Sequence, residues 1–337
     1  MSKTGIIGDL HFKEHLGYYD HVEDSRESEF NEILDFIVES LKDCDKIVFL
    51  GDNFDKKNNQ AIIVKRFLSF VERFSGKSLY FLAGNHEKDS FGRTALDFLS
   101  EIKDKKWNII TRKIESIDGL ILVPFFSPRE LGLKNVKDAT KYIMSSIKQH
   151  GKGMVFCHTS LGGAKLASLI DASVLNEVVL PVDELENEAP VFAGHIHLNQ
   201  KIKDGVYVVG SVFNNDVTDV GKKIYKVDEN YKIEEIDLPG RKIIKIENPT
   251  VEALSSIDKG NIIKAVFTKK VNTEEVLKEL ETFDGHLVIR DFSVKRKKSS
   301  STIDVSEMSV EQLTKMYCVN NKIDFLKIQK AFDLIKK

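Results

Sequence analysis

Lys46-Ile47-Val48-Phe49-Leu50-Gly51-Asp52-Asn53-Phe54-Asp55 is a five-residue run, apolar after its first residue, that empties into glycine, two carboxylates and an amide. So short a run bounded by glycine reads as a buried strand of an α/β sheet, with polar residues delivered at its carboxyl end. The same grammar recurs on either side. Thr4 to Gly8 is a strand ending in Asp9-Leu10-His11, and 78–83 is one ending in Gly84-Asn85-His86-Glu87. Between them, Phe30, Ile33, Leu34, Ile37, Val38 and Leu41 recur at spacings of three and four, the apolar face of a helix. Residues 61–74 predict a second helix, and 93–103 and 137–149 two more. Further strands are expected over 119–124, 153–157, 190–193, 206–209 and 222–227. Alternating strands and helices imply a layered α/β fold with ligands at strand carboxyl ends.

Past residue 240 the texture changes. Strands over 243–247, 261–268 and 287–294 and a helix over 273–283 describe a small α+β unit. Lys295, Arg296, Lys297 and Lys298 then run into three serines, an exposed basic stretch. Helices are expected over 309–317 and 324–335. The second carries Phe325, Ile328, Phe332 and Ile335 on one face, which either packs on its own domain or docks on a partner.

With 337 residues, 42% hydrophobic and 30% charged, the chain has the composition of a globular protein and not of a disordered, collagenous or disulfide-built one. Its three cysteines, Cys44, Cys157 and Cys318, are far apart, which fits a reducing compartment and excludes a zinc-finger framework. No apolar run approaches the roughly 20 residues needed to span a bilayer, so a soluble, cytoplasmic protein without a membrane partner is expected. The net charge of −2 is uninformative, but residues 241–337 carry nineteen Lys and Arg against fourteen Asp and Glu. A basic C-terminal third on an acidic body points weakly to an anionic partner.

The chemistry lies in five strand ends: Asp9-x-His11, Gly51-Asp52, Gly84-Asn85-His86-Glu87, Cys157-His158 and Gly194-His195-Ile196-His197. Each alone is weak, since an isolated His-x-His is more often a turn. Five in succession place Asp, Asn and His at one sheet edge. The mixed nitrogen and oxygen donors suit borderline divalent ions, and the absence of cysteine argues against structural zinc.

In this order the five motifs resemble the full signature of the calcineurin-like metallophosphoesterases, over roughly residues 4–240. The resemblance implies a layered β-sandwich flanked by helices and a centre with two divalent ions, manganese being the expected metal. Asp9, His11, Asp52 and His197 would hold one ion; Asp52, Asn85, His158 and His195 would hold the other, with Asp52 shared. Two such ions clamp a phosphate oxygen and lower the pKa of water between them. His86 would act on the leaving oxygen or the transition state, and Asp55 would orient and charge that histidine.

Within the family, Gly84-Asn85-His86-Glu87 is worded like the protein phosphatases. Their second motif continues Asp-Arg-Gly, whereas here Asp55 is followed by Lys56-Lys57, which removes a bidentate grip on phosphate. Gly51-Asp52-x-Phe54-Asp55, the long segment 12–25 and the Val206-Tyr207-Val208-Val209-Gly210-Ser211 run look like the SbcD-type nuclease subunits of bacteria and phages. That resemblance implies a nuclease domain over 1–240, a small α+β capping domain over 241–298, and a C-terminal linker with helices over 299–337. It also implies DNA as substrate and an SbcC-type ABC ATPase as partner, while homodimerisation stays open. Lys13, Tyr18 and Tyr19, with His15 and His21, follow the first ligands where they could meet DNA, and Lys295–Lys298 could meet duplex phosphates. Two alternatives stay open: hydrolysis of small phosphodiesters or phosphoproteins, and a non-catalytic scaffold for an ATPase.

Overall fold

The computed structural model describes residues 2–14, 25–89, 92–102, 106–166, 171–172, 176–185, 189–214, 221–250, 253–254, 256–257 and 261–266. Its first half runs β1 (Lys3–Ile7), α1 (Ser25–Ser40), β2 (Lys46–Phe49), α2 (Ala61–Glu72), β3 (Ser78–Leu82) and β4 (Trp107–Ile110), with a 3-10 turn at Asp97–Glu101. Next come β5 (Glu115–Ile117), β6 (Leu120–Val123), α3 (Val136–Gln149), β7 (Met154–His158), β8 (Ser160–Leu161), β9 (Val179–Leu180) and β10 (Val191–Gly194). The remaining strands are β11 (Gln200–Lys203), β12 (Val206–Val208), β13 (Lys223–Asp228), β14 (Ile233–Asp237), β15 (Ile243–Glu247) and β16 (Ile262–Val266).

Two six-stranded sheets carry the architecture. One has the order β14-β13-β1-β2-β3-β4, the other β11-β12-β10-β7-β6-β5. Strands β1 to β4 are mutually parallel in the first, and β6, β7, β10 and β12 in the second. Parallel strands buried on both faces read as continuous apolar runs, which is why 46–50 and 153–157 were legible.

Alternation along each strand then builds three apolar layers. Ile6, Val48, Tyr80 and Leu82 of the first sheet meet Leu122, Phe156, Phe192 and Tyr207 of the second. The rings of Phe156 and Phe192 stack at 5.7 Å, and those of Phe192 and Tyr207 at 5.4 Å. One residue on, Ile7, Ile47, Phe49 and Phe81 turn outward to Phe30 and Ile37 of α1 and to Phe67 and Phe70 of α2. On the other flank, Ile121, Val155, Cys157 and Ala193 meet Ala139, Ile143 and Ile147 of α3. Helix α3 starts where it does because the Asn135 side chain accepts the Asp138 backbone N–H at 2.9 Å. The result is the expected helix–sheet–sheet–helix sandwich.

The expected helix over 93–103 is instead a turn followed by the 3-10 segment Asp97–Glu101. Local side-chain bonds explain it: Thr94 Oγ1 accepts the Leu96 N–H, and Asp97 Oδ2 accepts the Thr94 N–H, both at 3.2 Å. These satisfy the backbone groups that an α-helix would have used. Strands β11 and β14 are additions, reading Gln-Lys-Ile-Lys and Ile-Glu-Glu-Ile-Asp, because edge strands need no apolar run. Strands β15 and β16 pair in parallel as a separate ribbon where the small α+β unit was expected. The helices over 273–283, 309–317 and 324–335, the strand over 287–294 and the apolar stripe from Phe325 to Ile335 lie outside the described residues. Cys44 and Cys157 are free, buried thiols. Among the described residues no helix is long and apolar enough to cross a membrane.

Because Phe156 is fully buried where the two sheets meet, Phe156→Ala should destabilise the protein by about 3–5 kcal/mol. Phe36, 38% exposed on α1, should cost no more than about 0.5 kcal/mol when truncated. Urea unfolding midpoints compare the two.

Candidate metal centre

All five motifs leave strands that point the same way, β1, β2 and β3 in one sheet and β7 and β10 in the other. Their carboxyl ends therefore converge at one edge of the sandwich. Asp9, His11, Asp52 and His158 are buried there, Asn85 and His195 are half-buried, and His86 is exposed. Three of these side chains leave a backbone in the left-handed region: His11 (φ 47°), Asp52 (φ 45°) and His195 (φ 86°). Such strain at a non-glycine residue persists only where its surroundings impose it. Here they do, since His11 N–H donates to Asp52 O at 2.8 Å and Phe12 N–H to Asn53 O at 2.9 Å, lacing the first two turns together. The His195 N–H donates to both Asp9 carboxylate oxygens, at 3.1 and 3.0 Å, which ties the second sheet to the first.

Three groups of donor atoms result among the described residues. Asp9, His11 and His197 form one, Asp52, His158 and His195 a second, and His11, Asp55 and His86 a third, each with ligand-type atoms within 4.8 Å of one another. Nε2 of His11 and Nε2 of His197 face each other at 2.9 Å. Asp52 stands between the first two, its Oδ2 3.3 Å from His158 Nε2 and 3.8 Å from His11 Nε2. Asn85 Oδ1 lies 3.1 Å from His158 Nε2 and 2.8 Å from His195 Nδ1. The seven residues expected as ligands thus lie close together at this edge, Asp52 and Asn85 through the contacts just given.

Whether this donor set suits a cation follows from proton accounting. The Nδ1–H of His158 donates to Leu50 O at 2.7 Å, which leaves Nε2 facing the oxygens of Asp52 and Asn85. Burial alone would depress that imidazole, but Asp52 and Asp9 raise it to about 9. Burial pushes His11 down to about 4 against the pull of Asp52 and Asp9, leaving a neutral ring. Burial also works against ionisation of Asp52, yet His158 and the other imidazoles hold its carboxyl below the usual range. Carboxylates that draw a proton onto a buried imidazole would hold a divalent ion in that proton's place, so the donor set fits a metal.

Glycines make the room. A Cβ on Gly51, which has φ +107°, would lie 2.3 Å from His158 Nδ1, and one on Gly84 would lie 2.1 Å from Asp52 Oδ1. These positions are glycine because the ligands occupy the space a side chain would take.

Asp55 lies against His86 as expected, its carboxylate in one group with the His11 and His86 rings, but it has further partners. Its carboxylate takes the Lys13 ammonium at 2.8 Å and lies 3.5 Å from His11 Nδ1. The group hydrogen-bonded to the His86 ring is the Asp55 main-chain oxygen, 3.1 Å from Nδ1. That carbonyl fixes the His86 tautomer and leaves Nε2 free at the exposed rim, while the carboxylate serves Lys13. Lys13 is accordingly paired and half-buried. Tyr18, Tyr19, His15, His21 and Lys295, Arg296, Lys297 and Lys298 lie outside the described residues.

Sequence reasoning passed over two acids. Glu87, fully buried, accepts from Gly84 N (2.9 Å), Asn53 Nδ2 (3.1 Å) and Phe54 N (3.2 Å), fastening the second turn to the third. Burial, with Asp52 nearby, raises its carboxyl to about 8. Glu177 lies 2.8 Å from His195 Nε2. Glu87 could have been noticed as the end of a quoted motif, whereas Glu177 belongs to none.

Gly84→Ala should displace Asp52 and lower metal content at least tenfold by elemental analysis. Gly76→Ala is the control: it shares a positive φ (+89°) but has nothing within 4 Å, so it should lose a little stability and keep its metal.

No curated protein matches the chain. The sequence model of the calcineurin-like phosphoesterases matches residues 2–199. That is more than half of the 337 residues, and the chain belongs to this family of metal-dependent phosphoester hydrolases.

Proposed function

We propose that the protein is a DNA nuclease of the SbcD type, hydrolysing phosphodiester bonds with two divalent ions, preferably manganese, during DNA end processing, repair or recombination. The observation that carries the reading is a cleft at the Asp55 turn, whose main-chain oxygen holds the His86 ring. It measures about 250 Å³ and is lined by Lys13, Glu14, Asp55, Lys56, Asn58, Asn59, Gln60 and Ile63. With Lys13 and Lys56 balanced by Glu14 and Asp55, and no arginine fork in the lining, the cleft suits the single charge of a diester better than the dianion of a phosphomonoester. The wording Gly51-Asp52-x-Phe54-Asp55 supports the same choice.

Asp9, His11, Asp52 and His197 would hold one ion and Asp52, Asn85, His158 and His195 the other. When bound, such ions act as Lewis acids on a phosphoryl oxygen and acidify water at neutral pH. The chain's own groups do the rest. His86, exposed and held through its Nδ1–H to the Asp55 carbonyl, presents Nε2 to a substrate at the rim. As an imidazolium, with both ring nitrogens protonated, it would give the Nε2 proton to the departing oxygen and end as the neutral Nδ1–H ring. The backbone N–H of His86 donates to Asp52 Oδ1 at 2.9 Å, so the acid and the shared carboxylate keep a fixed separation. Lys13 and Lys56 would meet phosphates flanking the scissile one, with Asp55 setting the position of Lys13.

A phosphoprotein or small-diester hydrolase is favoured only by the wording of Gly84-Asn85-His86-Glu87. It predicts turnover of phosphopeptide or bis-p-nitrophenyl phosphate without DNA cleavage. We further propose an SbcC-type ATPase as partner, docking through the helix expected over 324–335.

His86→Asn should keep metal content and DNA affinity while lowering DNA cleavage by roughly 10²–10⁴-fold. His158→Ala should lose metal instead; equal metal loss in both would make His86 a ligand. Manganese should restore activity to EDTA-stripped protein where magnesium does not, because magnesium prefers oxygen donors and sheds water reluctantly. Full cleavage in magnesium alone would overturn that choice.

Deleting residues 323–337 should leave manganese-dependent hydrolysis of bis-p-nitrophenyl phosphate intact and abolish co-purification with the ATPase. Precipitation of the shortened chain would show that the helix is core.

A further inference from the structure

His195 is gripped from both sides. Its Nδ1 lies 2.8 Å from Asn85 Oδ1, inside the cluster, and its Nε2 lies 2.8 Å from Glu177 Oε1, on the outer side. The same Glu177 oxygen accepts the Ser160 hydroxyl at 2.8 Å. Glu177 is itself held in place. Thr159 Oγ1 donates to Val178 O at 3.0 Å, and β8 pairs with β9 in register Ser160 to Val179. This small ribbon starts two residues after His158, so the chain that delivers one imidazole also anchors the carboxylate touching another.

A carboxylate only accepts, so the hydrogen between Glu177 and His195 sits on Nε2. A neutral imidazole with its proton on Nε2 has its lone pair on Nδ1, the nitrogen that faces Asn85, and His195 belongs to the group with Asp52 and His158. Among the described residues Glu177 is the partner of Nε2, so without it none of them would select that tautomer.

We propose that Glu177 is a positioning residue that fixes the tautomer and orientation of His195 and strengthens it as a metal ligand. This rests on reading the cluster as a metal centre. Glu177 contacts no reacting group and acts only through His195.

The test titrates manganese into metal-stripped, full-length protein by calorimetry, for wild type, Glu177→Gln, Glu177→Ala and His195→Ala. Glutamine keeps the size and an oxygen for Ser160 but loses the charge. Glu177→Gln should weaken one class of manganese site by about 10–100-fold, with Glu177→Ala at least as weak. The thermal midpoint of the stripped Glu177→Gln protein should match wild type, which separates positioning from a merely structural role. Unchanged manganese affinity in a folded Glu177→Gln protein would overturn the proposal. So would loss of one whole equivalent that millimolar manganese does not restore, the pattern expected of His195→Ala, since Glu177 would then be a ligand. Absence of manganese binding by wild type would overturn the metal-centre reading itself.

Discussion

The carboxylate of Asp52 is the element on which the site depends. It is 1% exposed, leaves a left-handed backbone, and gives one oxygen to the His86 N–H and the other to His158. Burying a charge this far from water is costly unless opposite charge and hydrogen bonds surround it. The imidazoles around it, the glycine left bare at 84 and the lacing of Asp52 O to His11 N–H all answer that need. Move Asp52 and the groups of His11 and His158 lose the atom between them.

Around this point the fold acts as a registration device. Successive side chains of β1, β2, β7 and β10 point to opposite faces, both of them buried, so a slip of one residue would invert every side chain. The aromatic stack of Phe156, Phe192 and Tyr207 lies directly behind the ligand turns, so the packing that stabilises the sandwich also sets where His158 and His195 stand. Glu87 performs a similar task within the first sheet, binding backbone N–H groups of two ligand turns with one carboxyl group.

Much of this was legible in the sequence because buried parallel strands are continuous apolar runs and their ends are marked by glycine. That placed seven candidate ligands at one edge of the fold. Polar edge strands such as β14 were not legible, since half of their pattern answers to solvent. The 93–103 segment misled because helical propensity said nothing of the Thr94 and Asp97 side-chain bonds that won locally. Asp55 shows a subtler limit. Its position three residues after Asp52 suggested a partner for His86, but spacing could not tell which of its oxygens, main-chain or carboxylate, would face the ring. Glu177 was illegible for another reason: its meeting with His195 is made by the ribbon of β8 and β9, and two-residue strands leave no periodic trace.

The division of the donor groups between two sheets has a further consequence. Asp9 and His11 come from one sheet and His197 from the other, while Asp52 and Asn85 face His158 and His195 across the same seam. Ions held there would be cross-links, each spanning the halves of the sandwich, and neither half alone could bind them with full strength. Loading and folding are then thermodynamically linked: the seam tightens as free metal rises, and chelation loosens it by the same free energy. For a chain that must work where metal levels fluctuate, apparent stability becomes a property of the ionic environment as much as of the polypeptide.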